Sequence, residues 1–168
     1  MAIMKTKAKR FWHATFVLLF AAPLGMAAEP PAVPKRLSAH VHTMKASNIV
    51  ELRDGILTCT TFGPRRSDPQ DRVIAPTEAQ WREFRQALDD VNIWRWHGEY
   101  DHPGILDGMG WALDIAYDDH EVKSSGANAY PDATGEPNFQ GSPTYSFRRY
   151  LAALKTLTDG CARVGVQY

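Results

Sequence analysis

The chain has 168 residues, 44% of them hydrophobic, with 19 basic and 19 acidic side chains. This length is enough for one ordinary domain with its own core. Four of the basic residues and none of the acidic ones lie in the first 28 positions, so the remaining 140 carry a net charge of −4. A mildly acidic surface argues against nucleic acid and against anionic membranes as partners.

The first 28 residues have the layout of a cleaved secretory signal. A basic start with four Lys and Arg residues is followed by the apolar run 16–22, and small residues close the segment at 25–28. Such a run is too short to span a bilayer, and no Cys lies near its end to carry a lipid. We therefore predict a cleaved signal peptide over 1–28 and a periplasmic or secreted protein without stable membrane insertion.

Residues 29–47 are predicted to form an extended lead-in to the domain. Pro30, Pro31 and Pro34 stiffen its first part and favour an extended chain over a packed element. Further along, His40 and His42 would share one face of an extended chain, a spacing that can hold a metal ion. Because ordering two ligands on a flexible segment has an entropic cost, we predict no metal ion and no cofactor.

A single domain is predicted over 48–168, and it begins with two β-type runs. Residues 49–53 and 56–62 are joined by Asp54-Gly55, a strong signal for a hairpin. A polar loop is predicted over 63–76.

A helix is predicted to begin at Thr77, because Gln80 completes a capping box with it. The apolar stripe of this helix consists of Trp81, Phe84, Leu88 and Val91, and its solvent side of Arg82, Arg85, Gln86 and Asp89.

The second half of the domain is predicted to contain three strands, a helix and a short edge strand. Residues 93–97 form a short strand, 111–117 the clearest strand of the chain, and 121–125 its hairpin partner. Loops are predicted over 98–110 and 126–143. The last helix covers 145–158, with Gly160 suited to its C-terminal cap. Residues 164–168 alternate in polarity and suit a short edge strand.

These elements predict an α+β fold, in which an antiparallel sheet built from hairpins has two amphipathic helices packed on one face. The two cysteines, Cys59 and Cys161, predict one disulfide in an oxidising compartment. It would close a loop of roughly 100 residues, which corresponds to about 4–5 kcal/mol of chain entropy. The alternative is a reactive or metal-binding thiol.

Catalytic signatures are absent: the sequence has no nucleophile elbow, no zinc-type Cys/His spacing and no Walker loop. The densest polar stretch supplies His97, Asp101, His102 and Asp107, which have the side chains of a divalent-metal site or of an acid–base pair. The other interpretation of this stretch is a solvent-facing loop with a turn at Asp107-Gly108.

Candidate binding residues are aromatic and amide side chains in two regions. Trp94 and Trp96 would share one face of the predicted strand 93–97, half exposed. The loop 126–143 contains residues whose side chains suit a recognition surface, namely Asn128, Tyr130 and Asn138. The alternative interpretation makes Asn128 a turn residue that bonds to the backbone and Tyr130 a core residue.

Two motifs carry a resemblance to other proteins. Asp107-Gly108-x-x-Trp111, followed by the run Gly126-x-Asn128-Ala129-Tyr130-Pro131 and a closing helix, resembles a broad set of uncharacterised exported bacterial proteins with D-G-T-x-W and G-S-N-A-Y-P patterns. The likeness covers residues 49–157. Here Met109 replaces the Thr and Ala127 the Ser, which leaves no hydroxyl at either position. The resemblance implies export and fold, and no activity is established for the set.

We therefore predict a cell-envelope binding module, either an inhibitor, an immunity-type protein or an accessory protein, whose partner is another envelope or secreted protein. Its contact surface would be the open face of the sheet with the loops 98–110 and 126–143. The alternative is a small metal-assisted or acid–base hydrolase, which requires the polar side chains of 97–107 to converge.

Overall fold

The computed structural model describes residues 32–63, 68–102, 104–105 and 108–162. The predicted signal peptide and the predicted edge strand 164–168 lie outside these residues. The strands are β1 (Arg36–His42), β2 (Ser47–Arg53), β3 (Ile56–Phe62), β4 (Gln70–Ile74), β5 (Glu99–Asp101), β6 (Gly110–Ala116), β7 (Glu121–Ala127), β8 (Tyr130–Pro131) and β9 (Pro137–Asn138). The helices are α1 (Glu78–Asp90) and α2 (Tyr145–Leu157), and a 3₁₀ helix (Ile93–Arg95) follows α1.

The predicted α+β class is confirmed, with one large sheet and two helices in the described part of the chain. Seven strands pair in the order β4-β3-β2-β1-β6-β7-β5. All neighbours are antiparallel except β5, which pairs parallel to β7. Strands β8 and β9 form a separate antiparallel pair.

The predicted extended lead-in over 29–47 is wrong in its second half, because strand β1 lies at the centre of the sheet. It pairs with β2 on one side and with β6 on the other. Leu37, Ala39 and Val41 alternate along it and are all buried. The prolines that precede β1 indicate an extended chain, but the alternation after them is that of a half-buried strand.

The two edges of the sheet also lie where loops were predicted. Strand β4 falls within the predicted loop 63–76, and β5 within the predicted loop 98–110. Both are short, and four of the five β4 side chains are exposed, so neither strand gives the sustained alternation that identifies a half-buried strand. Strands β2 and β3, by contrast, pair across Asp54-Gly55, where both residues adopt the positive φ that such a turn requires.

The capping box predicted at the start of α1 is confirmed. The Thr77 hydroxyl accepts a hydrogen bond from the Gln80 backbone N–H, and the Gln80 side chain accepts one from the Thr77 N–H. The predicted stripe is buried, but Arg85 is buried as well, although the helical period places it on the solvent side. Its position follows from partners elsewhere in the fold, which the period of one helix does not encode.

The predicted strand over 93–97 is wrong, since this segment turns as a 3₁₀ helix. Asn92 adopts a left-handed backbone with φ of 52° after the end of α1. The N–H groups of Arg95 and Trp96 then bond to carbonyls three residues earlier instead of to a neighbouring strand. Trp94 and Trp96 consequently do not share the face of a strand.

Both helices contribute to one core with the buried face of the sheet. The Phe147 ring of α2 lies 4.8 Å from that of Trp111 in β6, centroid to centroid. The predicted disulfide is confirmed, and Cys59 in β3 is joined to Cys161 after α2. The side chains of β1, β2 and β3 on the opposite side of the sheet, which we call the open face, are exposed or half-buried. Neither helix, at 13 residues each, has the length and apolarity of a membrane-crossing segment, and this holds for the described residues only.

Candidate functional site

The polar residues predicted around β5 have separate partners. His97 Nε2 lies 3.6 Å from a Glu136 carboxylate oxygen, and its ring centroid lies 5.8 Å from that of Tyr100, with the planes tilted by 30°. His102, beyond the other end of β5, has its Nε2 3.0 Å from the carbonyl oxygen of Phe139. Asp101 is exposed, and Asp107 lies outside the described residues.

No group of three or more His, Cys, Asp or Glu side chains in the described ranges is arranged to hold a metal ion. The three described candidates therefore do not form the metal site that a metal-assisted hydrolase at 97–107 requires.

Three of the five predicted binding residues are buried. Trp96 is 6% exposed, Asn128 8% and Tyr130 2%, so these side chains offer almost no surface to a partner. Asn138 in β9 is half-buried and accepts a hydrogen bond from the Gln140 N–H. Trp94 is half-buried and donates its indole N–H to Asp89 at 2.6 Å.

Trp94 belongs to a cluster around Arg85, whose side chain is only 9% exposed. The guanidinium donates to both oxygens of Asp119, at 3.0 and 2.8 Å, and to Asp89. It also lies over the rings of Tyr117 and Trp94, 4.6 and 5.1 Å from their centroids. We call these five residues the Arg85 cluster.

The hydrogen bonds of the Arg85 cluster change the protonation equilibria of its members. Those from Arg85 hold the pKa of Asp119 well below its ordinary value, and those to Asp119 raise the pKa of Arg85. Burial raises the pKa of the Tyr117 phenol. The cluster is thus a fixed ion pair that ties α1 to the turn between β6 and β7.

The two sequence motifs meet in the structure and hold each other. The Asn128 side-chain oxygen accepts a hydrogen bond from the Met109 N–H at 3.0 Å, while the Met109 carbonyl accepts one from the Asn128 N–H. A Cβ at Gly108 would lie 1.7 Å from that side-chain oxygen, so the site requires glycine. Trp111 donates its indole N–H to the carbonyl of Ala129. These contacts fasten the segment after β7 to the start of β6.

The strongest candidate for a binding site is a cleft at one end of the sheet, with a volume of about 840 Å³. Six separate parts of the chain form it, and we call it the end cleft. Its described lining is Thr43–Asn48, Thr61–Gly63, Gln70–Arg72, Gly108, Met109, Pro143, Gly160 and Cys161.

The wall of the end cleft is fixed by the disulfide and by a buried amide. Asn48, 5% exposed, donates its side-chain N–H to the Cys161 carbonyl at 3.3 Å. The rim is more open: Met44 is 77% exposed, and Phe62 and Met109 are half-buried. Thioether side chains adapt to ligands of different shape, because they have three rotatable bonds and a polarisable sulfur.

The chemistry of the end cleft suits binding. Its described charged residues are Lys45, Arg72 and one carboxylate, Asp71, and its described lining includes no histidine. Cys161 is held in the disulfide and supplies no thiol.

No protein-family model, no curated protein and no solved structure matches this chain. The resemblance to exported bacterial proteins based on the two motifs accordingly stays a prediction.

The end cleft could not be predicted from the sequence because its lining comes from segments more than 100 positions apart, and of the two motifs only Gly108 and Met109 contribute to its described lining. The one local signal is the exposed Met44 in the turn between β1 and β2. The turn between β1 and β2 is predictable only where 36–42 is taken as a strand.

Proposed function

We propose that this protein is an exported cell-envelope binding module, which captures a segment of another envelope or secreted protein in the end cleft. The observation that carries the proposal is the cleft itself. Its volume of about 840 Å³ lies within the range of ligand sites, and its lining includes the apolar side chains of Met44, Phe62 and Met109.

The chemistry of the rim indicates the kind of segment that fits. Met44, Phe62 and Met109 offer apolar surface, whereas Lys45 and Arg72 outnumber Asp71 among the described charged residues of the lining. A peptide with an apolar side chain next to an acidic one complements both features. The partner proposed here is therefore a protein with such a segment exposed, not a nucleic acid.

Export is part of this proposal. The disulfide between Cys59 and Cys161 is compatible with an oxidising compartment such as the periplasm or the medium. The basic, apolar and small-residue order of 1–28 supports a signal peptide. The hydrolase at 97–107 stays an alternative without a described geometry in its favour.

Site-directed photocrosslinking in the producing cells tests the proposal. A photoreactive residue at Met44 is expected to give one dominant adduct, whose partner segment is then identified by mass spectrometry. The matched control carries the photoreactive residue at Val73, which is 74% exposed but not part of the cleft lining. This control is expected to give no such adduct.

A synthetic peptide of the captured segment provides the second measurement. Met44→Asp is expected to weaken its binding by about tenfold or more, because the charge removes apolar contact and repels the acidic neighbour. Val73→Asp is expected to leave binding unchanged. Equal adducts at both positions, or equal peptide affinity of the two variants, contradicts the proposal.

A further inference from the structure

The sulfur atoms of the chain are distributed unevenly. Its two cysteines are joined in the disulfide, so neither offers a thiol to an oxidant. Three of its five methionines, at positions 1, 4 and 26, lie within the predicted signal peptide. The other two, Met44 and Met109, both line the end cleft. After the predicted signal peptide, the oxidisable thioethers of the chain therefore lie at the proposed binding site.

The two thioethers differ in their exposure to solvent. Met44 is 77% exposed in the turn between β1 and β2. Met109 is half-buried and packs against the hydrophobic core. Because the oxidation of a side chain depends on the access of the oxidant to its sulfur, Met44 should react before Met109.

The turn that carries Met44 is held by hydrogen bonds that do not involve the Met44 side chain. The Thr43 N–H donates to the Ala46 carbonyl at 2.8 Å. The Thr43 hydroxyl accepts from the N–H groups of Lys45 and Ala46, each at 3.2 Å. A chemical change at the Met44 sulfur therefore alters the rim of the end cleft and leaves the bonds of the turn in place.

Peroxide is the class of oxidant that carries out this change. The thioether sulfur attacks one oxygen of hydrogen peroxide, and the bond between the two oxygens breaks. The transferred oxygen gives its proton to the departing hydroxide, which leaves as water, so the sulfur is oxidised to a sulfoxide while the peroxide is reduced. The sulfoxide is polar, and its oxygen carries partial negative charge. It would replace apolar contact at the rim and repel an acidic group bound beside Lys45.

We propose that Met44 is an oxidation site, and that its conversion to the sulfoxide weakens the binding of ligands that combine an apolar group with a negative charge. The inference rests on the proposed function for this class of ligand and adds a redox control to the same cleft. Enzymes that reduce methionine sulfoxide restore the thioether, so the control is reversible.

Peptide mapping by mass spectrometry tests the first half of the inference. The disulfide-bonded chain is treated with dilute hydrogen peroxide, and the addition of one oxygen is followed at Met44 and at Met109. Met44 is expected to react several-fold faster. When Met44 alone is converted, the free energy of unfolding in urea is expected to equal that of the untreated chain, because the side chain is exposed. A Met109 that reacts as fast as Met44 overturns the inference.

Binding of anilinonaphthalene sulfonate tests the second half, because this fluorescent dye has apolar rings and one negative charge. Oxidation of Met44 is expected to weaken its binding by about fivefold or more, through the loss of apolar contact. The matched control is Met44→Leu, which keeps an apolar side chain without a sulfur and should bind the dye equally well before and after peroxide. The inference is overturned if the untreated chain does not bind the dye, if oxidation leaves its affinity unchanged, or if Met44→Leu loses as much.

The dye measurement and the photocrosslinking experiment fail separately. If oxidation weakens dye binding but no dominant adduct forms in cells, the proposed function is contradicted and the oxidation site is retained. If an adduct forms, and the synthetic peptide of the captured segment binds the oxidised chain as tightly as the untreated one, the proposed function is retained and this inference is overturned.

Discussion

The disulfide is expected to provide a large share of the stability of this domain. Cys59 and Cys161 are 102 positions apart, and Cys59 is fully buried in β3. Cross-linking a loop of this length removes chain entropy from the unfolded state worth about 4–5 kcal/mol. The Cys59→Ala/Cys161→Ala double variant should lose this amount, which corresponds to a fall of roughly 10–20 °C in Tm for a domain of this size.

Equilibrium urea unfolding, followed by tryptophan fluorescence, measures the effect. Three samples are compared: the oxidised chain, the same chain with dithiothreitol, and the double variant. The reduced chain and the double variant should agree with each other, because both lack the cross-link. If the oxidised chain is less than about 1 kcal/mol more stable than both, loop closure does not explain the role of this bond.

Three further substitutions test the described contacts by the same unfolding measurement. Arg85→Met should cost about 1–2 kcal/mol, since it removes a buried guanidinium and its hydrogen bonds to two partly exposed carboxylates. Arg82→Met removes an exposed pair and should cost less than about 1 kcal/mol, and equal losses contradict the stabilising role of the buried guanidinium. Asp119→Asn should destabilise the protein at pH 7. Because the pKa of Asp119 is depressed in the folded state, the difference in unfolding free energy between this variant and the unchanged chain should shrink as the pH falls below the ordinary pKa of 3.8. A difference in unfolding free energy that does not depend on pH contradicts this. Asn128→Ala should cost about 2–3 kcal/mol, because it removes the hydrogen bond to Met109 and places alanine at a φ of 56°. Asn128→Gly loses the same hydrogen bond but tolerates this φ, and it should therefore cost about 1 kcal/mol less. If the glycine variant is the less stable of the two, the argument is refuted.

The parts of the fold that were predictable are those in which local chemistry decides the structure. Asp54-Gly55 sets a tight turn, and Thr77 with Gln80 caps a helix, because the interacting groups are within three residues of each other. Two cysteines leave a single possible pairing. The segment 93–97 was mispredicted because its tryptophans have β propensity, whereas its backbone N–H groups at Arg95 and Trp96 bond within a 3₁₀ turn.

The candidate site was harder to predict because its residues depend on long-range pairing. Trp96, Asn128 and Tyr130 belong to types that suit recognition surfaces, but those same types also fill cores and fix turns. Only the contacts across the fold distinguish the two roles, and they place all three in the interior. Arg85 shows the converse, since its burial follows from Asp119, which is 34 positions away.

The position of β1 connects these observations. Because the first strand lies between β2 and β6, it joins the strands β2–β4 to the strands β5–β7, and without it neither group has its central partner. The turn after β1 forms one wall of the end cleft, while the disulfide brings Cys161, from after the last helix, to another. The same strand presents His40 and His42 on the open face. The segment that was predicted to be a flexible lead-in thus orders the turn that forms one wall of the end cleft.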